Sequence, residues 1–307
     1  MIAGATATGK TALAIRLARR IEGAEIVSAD SRQVYRGMDI ATAKPSVGEQ
    51  ALVPHHCLDL VDPDEPFSAA DYQRQALEAL ESIARRGGVA LLVGGTGLYL
   101  RAIARGLPLD RADTDAAVRA RLNARFEAEG LDGLVDELRD RDERGAATVD
   151  QRNPRRVVRA LERAIVTGAA VPLPPRGYPA PLVWLGLRLD AADHRARIEA
   201  RIDRHFETGL LEEARALRER YPETLPAFSA MGYREAFDVL AGRTSDAAAK
   251  ARDVQRTWAY AKRQGTWFRA EPDIEWLITG EGTLDHAREA IGPLLQWIGH
   301  SGYAARR

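Results

Sequence analysis

Apolar and polar positions along the first hundred residues switch between two periods. Met1-Ile-Ala is apolar and meets a glycine, Leu13, Ala14, Leu17 and Ala18 recur at helical spacing across Thr11 to Arg20, and Glu25-Ile-Val-Ser-Ala-Asp30 reads as a short strand ending in a carboxylate. Ser68 to Arg86 carries a longer helical pattern, with Ser68 as its cap and Asp71 completing a short capping box, and Gly87-Gly88 stops it. Val89-Ala-Leu-Leu-Val93 is the unbroken apolar run of a buried parallel strand, and Gly94-Gly95-Thr96-Gly97 turns the chain at its carboxyl end. Alternating strand and helix signals predict an α/β fold: a P-loop NTPase-like parallel sheet with flanking helices.

After Pro108 the pattern changes. Asp115 to Arg144 reads as helical throughout, rich in Arg, Ala, Asp, Glu and Leu, and a further helix over Pro154 to Thr167 ends at Gly168. The Pro-rich stretch from Val171 to Pro181 reads as a linker, Leu182 to Leu187 returns to the sheet, and helices run on to about Arg269 before a last strand at Ile274 to Ile278. These readings divide the chain into a first core segment 1–112, an all-helical insertion domain 113–179, and a return to the core with C-terminal helices over 180–307. Only three residues precede Gly4, so either the first strand is short or the true start lies upstream of Met1.

Composition narrows the class. With 307 residues, 45% hydrophobic and 29% charged, the chain can bury a substantial core. No secretory leader precedes the first loop and no apolar run approaches the length of a membrane span, so a soluble, cytoplasmic protein without membrane contact is expected, acting as a monomer. The single Cys57 excludes an internal disulfide and a CxxC zinc site, in keeping with a reducing compartment. Forty-four basic and forty-four acidic residues cancel, so any nucleic-acid affinity must be local. Arg152, Arg155, Arg156, Arg159 and Arg163 form one cluster, and Arg252, Arg256, Lys262, Arg263 and Arg269 another, the latter interleaved with Trp258, Tyr260, Trp267 and Phe268.

Chemistry concentrates at the first glycine loop. Gly4-Ala5-Thr6-Ala7-Thr8-Gly9-Lys10-Thr11 satisfies GxxxxGK[ST] and lies between a strand and a helix, the context of a nucleotide- and ATP-binding loop. Its backbone N–H groups and helix N-terminus converge on one anion, Lys10 adds a full charge, and the Thr11 hydroxyl can ligate Mg²⁺ held by phosphates. Asp30, at the end of the second strand, is positioned for a general base, although a small P-loop kinase places a carboxylate similarly. Gly94-Gly95-Thr96 occupies the place where an ATPase ends its strand in a metal-ordering aspartate; bare backbone there lets a ligand approach, and Thr96 can donate a hydrogen bond to it. His55 and His56 point opposite ways if extended and are assigned structural roles rather than a metal site.

The loop, Ala29-Asp30-Ser31 through Tyr35 and Asp39 to Lys44-Pro45, Pro54-His55-His56, Val93 to Thr96, Ala230-Met-Gly232-Tyr233-Arg234-Glu and Ala261-Lys-Arg263-Gln264 together resemble the tRNA dimethylallyltransferase family, in that family's order across nearly the whole chain. The segment from Asp30 to Pro45 is the most specific. One departure is that the family's usual proline after the first loop glycine is Ala5.

The resemblance implies transfer of a dimethylallyl group from dimethylallyl diphosphate to N6 of the adenosine on the 3′ side of the anticodon in tRNA, with the base flipped into an enclosed site. By the same resemblance Asp30, Thr96 and Lys10 are catalytic. Gly4 to Thr11 and Arg119 bind the diphosphate, and Thr11 is the Mg²⁺ ligand. The anticodon stem-loop is contacted by Asp30, Ser31, Arg32, Gln33, Thr96, Arg119, Gln151, Arg152, Asn153, Pro154, Arg155, Arg234, Thr257, Trp258, Ala259, Tyr260, Ala261 and Lys262. Two other classes fit the loop by itself: a small-molecule kinase and a nucleotide-driven switch. The helical insertion and the basic clusters favour tRNA, because a small-molecule enzyme does not need that extra surface.

Overall fold

The computed structural model of the chain describes residues 1–109, 114–170 and 174–301. Contacts divide it into two compact units, Met1–Ala104 with Tyr178–Arg307, and Arg105–Gly177.

The first unit is built on six parallel strands, β1 (Ile2–Gly4), β2 (Ala24–Ser28), β3 (His55–His56), β4 (Val89–Gly94), β5 (Trp184–Arg188) and β6 (Ile274–Ile278), in the order β3-β2-β4-β1-β5-β6. Apart from the two-residue β3, the strands send successive apolar residues into different cores, as the two-residue period requires. Ile2, Ile26, Leu91, Val93, Leu185 and Leu277 pack with α1 (Lys10–Ala18) and α13 (Thr283–Ser301). Ala3, Val27, Leu92 and Trp184 join the opposite core with α3 (Ala69–Arg85), α4 (Gly97–Ala104) and Phe268. Both faces are therefore covered, and the strands read as nearly continuous apolar runs. A third core joins Val34, Tyr35, Met38 and Ala41 to α10 (Leu210–Arg220), the 3₁₀ turn Pro226–Ser229 and α11 (Tyr233–Leu240).

Local chemistry explains several boundaries. Ser68 and Asp71 form the expected reciprocal box at α3, Asp71 N–H donating to Ser68 Oγ at 3.2 Å and Ser68 N–H to Asp71 Oδ2 at 3.1 Å. Ser46 and Glu49 do the same for the short α2 (Val47–Leu52). Gly94 is required because a Cβ there would lie 2.0 Å from the Ala29 carbonyl oxygen, so β4 can end against the turn that carries Asp30 only without a side chain.

The second unit is all helical: α5 (Ala116–Glu129), α6 (Asp132–Arg141), α7 (Glu143–Thr148) and α8 (Pro154–Thr167), around Leu122, Leu134, Leu138, Val157 and Leu161. The stretch expected to be helical over Asp115 to Arg144 is helical and comprises α5, α6 and the start of α7. Gly130 at φ 81° takes a conformation that ends α5, and Asp142 caps α7 by accepting from Gly145 N–H at 2.8 Å. Glu162, fully buried, binds Arg119 at 2.9 Å and Arg159 at 3.1 Å and accepts from Asp115 N–H at 2.9 Å, tying α5 to α8. Of the expected linker, Val171 to Leu173 lie outside the described residues, and the rest has no regular structure. No helix among the described residues is long and apolar enough to cross a membrane.

Candidate active site

The carboxyl ends of β1, β2 and β4 meet at one edge, where open parallel sheets place their ligands. Three of the loops leaving that edge build the site. The loop after β1 runs from Gly4 to Gly9, whose φ of 89° caps α1. Thr8 is buried and donates to the Ala5 carbonyl at 2.9 Å, while Thr279 donates to the Thr8 carbonyl at 3.0 Å. Lys10 Nζ folds back to the same Ala5 carbonyl at 2.7 Å. Burial lowers the Lys10 pKa to about 8, with Asp30 opposing that shift and Arg201 adding to it.

A cavity of about 750 Å³ opens over this loop, lined by Thr6, Ala7, Gly9, Lys10 and Thr11, by Asp30 and Gln33, by Gly95, and by Arg197, Arg201, Arg204, His205, Tyr260 and Gln264. A second cavity of about 130 Å³ shares Thr6, Asp30, Arg201, His205 and Tyr260 with the first and continues to Ser31, Arg32, Asp253 and Thr257. Asp30 thus borders both. Its Oδ1 accepts Arg32 N–H at 2.8 Å, which fixes the turn after β2. Burial and then Arg201 and Arg204 push His205 down to about 3, so it stays neutral, and the positive charge of the cavity comes from Lys10, Lys44 and the arginines. Burial, reinforced by Glu235, raises Asp253 to about 6, and burial raises Tyr260 to about 12.

The residues expected to act together separate into groups. The loop, Asp30, Gln33 and Tyr260 line the larger cavity; Asp30, Ser31, Arg32, Thr257 and Tyr260 line the smaller. Gln33 is held inside: Ser28 Oγ donates to its Oε1 at 3.0 Å, and its Nε2 donates to the carbonyls of Thr42 and Ala43 at 3.2 and 3.1 Å. Thr96 accepts Ser31 N–H at 3.0 Å and so supports the Asp30 turn. Trp258 packs edge-on against His194, Ala261 is buried, and Lys262 and Arg234 are exposed. Gln151 to Arg155 and Arg119 belong to the helical unit, where Arg152 and Arg155 are exposed and Arg119 is bound to Glu162.

Two features were not anticipated. The backbone clearance of Gly94 and Gly95 is taken up by the protein itself, Ala29 at the first and the Gln264 amide at the second, rather than reserved for a ligand. On α9 (Ala191–Glu207), Arg197, Arg201 and Arg204 recur at helical spacing and all face the larger cavity. That periodicity was readable, but an arginine-rich helix face is ordinarily solvated. His55 and His56 do take structural roles, His55 Nδ1 bonding the Val53 carbonyl at 2.7 Å and His56 Nε2 the Glu25 carboxylate at 2.6 Å.

A glycine loop opening a helix, with a lysine and a half-buried arginine over it and a carboxylate opposite, defines an α/β protein of P-loop-like fold with a cationic cavity at its sheet edge. The comparisons narrow this class. The chain belongs to the IPP transferase family, whose model matches residues 33–271. It is 45% identical over 285 residues to tRNA dimethylallyltransferase 1 of Pelobacter propionicus, covering 90% of this chain and 91% of that one. The tRNA dimethylallyltransferase of a Roseiflexus species is 44% identical over 302 residues, 97% of each chain. Among solved structures, the full-length tRNA isopentenylpyrophosphate transferase of Bacillus halodurans aligns with a TM-score of 0.72 at 36% identity over 98% of both chains. A eukaryotic dimethylallyltransferase acting on tRNA aligns with a TM-score of 0.77 at 25% identity, covering 100% of this chain and 79% of that one.

Proposed function

We propose that the protein transfers the dimethylallyl group of dimethylallyl diphosphate to N6 of the adenosine on the 3′ side of the anticodon in tRNA, releasing diphosphate. Beside family membership, the observation that carries the chemistry is the position of Asp30 between the two cavities, one walled by the glycine loop and its cations. Ionising an allylic diphosphate is limited by charge on the departing oxygens, and the loop amides, Lys10 and Arg201 are aimed where that charge grows. The exocyclic amine is a weak nucleophile because its lone pair is delocalised into the purine, and Asp30 takes its proton as the bond to carbon forms.

Among the described residues no three His, Cys, Asp or Glu side chains converge as a metal cage. Mg²⁺ suits this donor set, since it is commonly held by one or two carboxylates and substrate phosphates with waters retained. Thr11 would hold it with the diphosphate, with the Asp39 carboxylate in the same cavity wall. The ion would add positive charge at the leaving group. The exposed Arg152, Arg155 and Arg156 on the helical unit supply the cationic surface that a neutral chain needs for tRNA.

Incubating the protein with labelled dimethylallyl diphosphate, Mg²⁺ and unmodified tRNA tests the assignment. Label in tRNA at the adenosine beside the anticodon is expected. Consumption of ATP with no label in tRNA would instead favour a kinase.

A further inference from the structure

The first threonine of the glycine loop is held by residues distant in the chain. Thr6 N–H donates to Gln264 Oε1 at 2.8 Å, His194 Nε2 bonds the Thr6 carbonyl at 2.7 Å, and Arg201 donates to the Thr6 hydroxyl at 3.0 Å. The amide of Thr6 is therefore already satisfied. Gln264 has a second arm. Its Nε2 donates to the Gly95 carbonyl at 2.8 Å, and a Cβ at Gly95 would stand 2.5 Å from that nitrogen. One buried amide thus bridges the loop after β1 and the turn after β4. The latter turn includes Thr96, which holds Ser31 next to Asp30.

From this chain of contacts we infer that Gln264 is a positioning residue that sets the separation between the leaving-group cradle and the Asp30 turn that receives the acceptor amine. The inference rests on the prenyl-transfer reading above. Transfer breaks the C1–O bond with its electron pair leaving on diphosphate, forms the C1–N6 bond, and sends the N6 proton to Asp30. The two loops serve opposite ends of that event. With the bridge cut, the cradle still promotes ionisation, but the acceptor stands off. Water then adds to C1 and loses its proton to Asp30 or solvent, giving dimethylallyl alcohol and diphosphate.

Two variants of the full chain test this. Gln264→Leu removes both arms. Gln264→Glu keeps an acceptor for Thr6 N–H but faces the Gly95 carbonyl with a carboxylate oxygen. Labelled dimethylallyl diphosphate and unmodified tRNA report the partition between prenylated tRNA and alcohol, and calorimetry reports diphosphate affinity. Transfer kcat is expected to fall about 10²-fold, the loss that a misplacement on the order of 1 Å produces. The alcohol share is expected to rise while diphosphate affinity stays close to that of the parent. Lowering the pH should restore transfer in Gln264→Glu alone, since a protonated carboxyl can donate to Gly95. If Gln264→Leu does not fold, Gln264→Glu and its pH response decide the matter. Parental partition and kcat in a folded variant overturn the positioning role, as does a loss fully explained by weaker diphosphate binding. A parent protein that leaves tRNA unmodified overturns the functional reading and this role with it.

Discussion

Lys10 offers a quantitative test of the loop. In the free protein its ammonium is enclosed beside Arg201, and its pKa falls from 10.5 to about 8. Bound diphosphate places negative oxygens against it and favours the charged form. Only the protonated lysine supplies that attraction, so affinity should be near its plateau at pH 7 and weaken about tenfold for each pH unit above 8. The stability of the free protein has the opposite sign. A lysine whose folded pKa lies below its unfolded value imposes a penalty that is fully present below about pH 8 and relieved as pH rises toward 10.5. Stabilisation of the fold by diphosphate should therefore be large at pH 7 and shrink by pH 9.5. Calorimetric titration of diphosphate across that range, with melting curves in parallel, measures both. Lys10→Arg, whose charge does not titrate there, should flatten the profile. A parent affinity constant from pH 7 to 9.5, or an arginine variant that keeps the slope, would refute the enclosed-lysine reasoning.

Other substitutions separate the remaining roles. Asp30→Asn should lower kcat about 10²–10⁴-fold while diphosphate binding persists; calorimetry showing lost binding would make Asp30 a metal-shell residue instead. Glu162→Ala should destabilise the helical unit by about 2–3 kcal/mol in denaturant unfolding, below the cost of a fully buried pair because Arg119 and Arg159 reach water. No change in the unfolding midpoint would mean that the pair does not hold α5 to α8. Replacing Arg155 and Arg156 by Gln should weaken tRNA binding and reduce its logarithmic salt slope by about 0.7–0.9 for each phosphate that the protein no longer neutralises. An unaltered slope in filter binding would return these arginines to an ordinary solvated surface.

Where structure is dictated by neighbours in sequence, the chain was legible. The Ser68 and Asp71 box, the Asn153-Pro154 start and Gly168 end of α8, and the β4 run are each specified within a few residues. The glycine loop and Asp30 could be placed at one sheet edge because strand and helix signals alternate regularly through the first hundred residues. The failures share a cause. Gly130-Leu131 and Asp142 interrupt a strongly helical composition by two residues and one, which periodicity averages away. Strand β3 is two residues long, and its pairing with β2 depends on a partner about thirty positions earlier. The purpose of Gly94 and Gly95 could not be read at all without Ala29 and Gln264, since clearance for a ligand and clearance for a protein atom look alike in sequence.

The clamp on Thr6 has a consequence for biosynthesis. Its partners lie 188, 195 and 258 residues further along the chain. The motif that identifies the chemistry leaves the ribosome ahead of its anchors, two of which arrive with α9 and the last only with α12 (Asp246–Arg269). Contacts of such long range form late, after loop closure over most of the chain. A nascent or prematurely ended product that stops before Gln264 carries the complete glycine signature without its bridge to the turn after β4. Competence to pass the allylic group to its acceptor rather than to water is in this way withheld until α12 has been made.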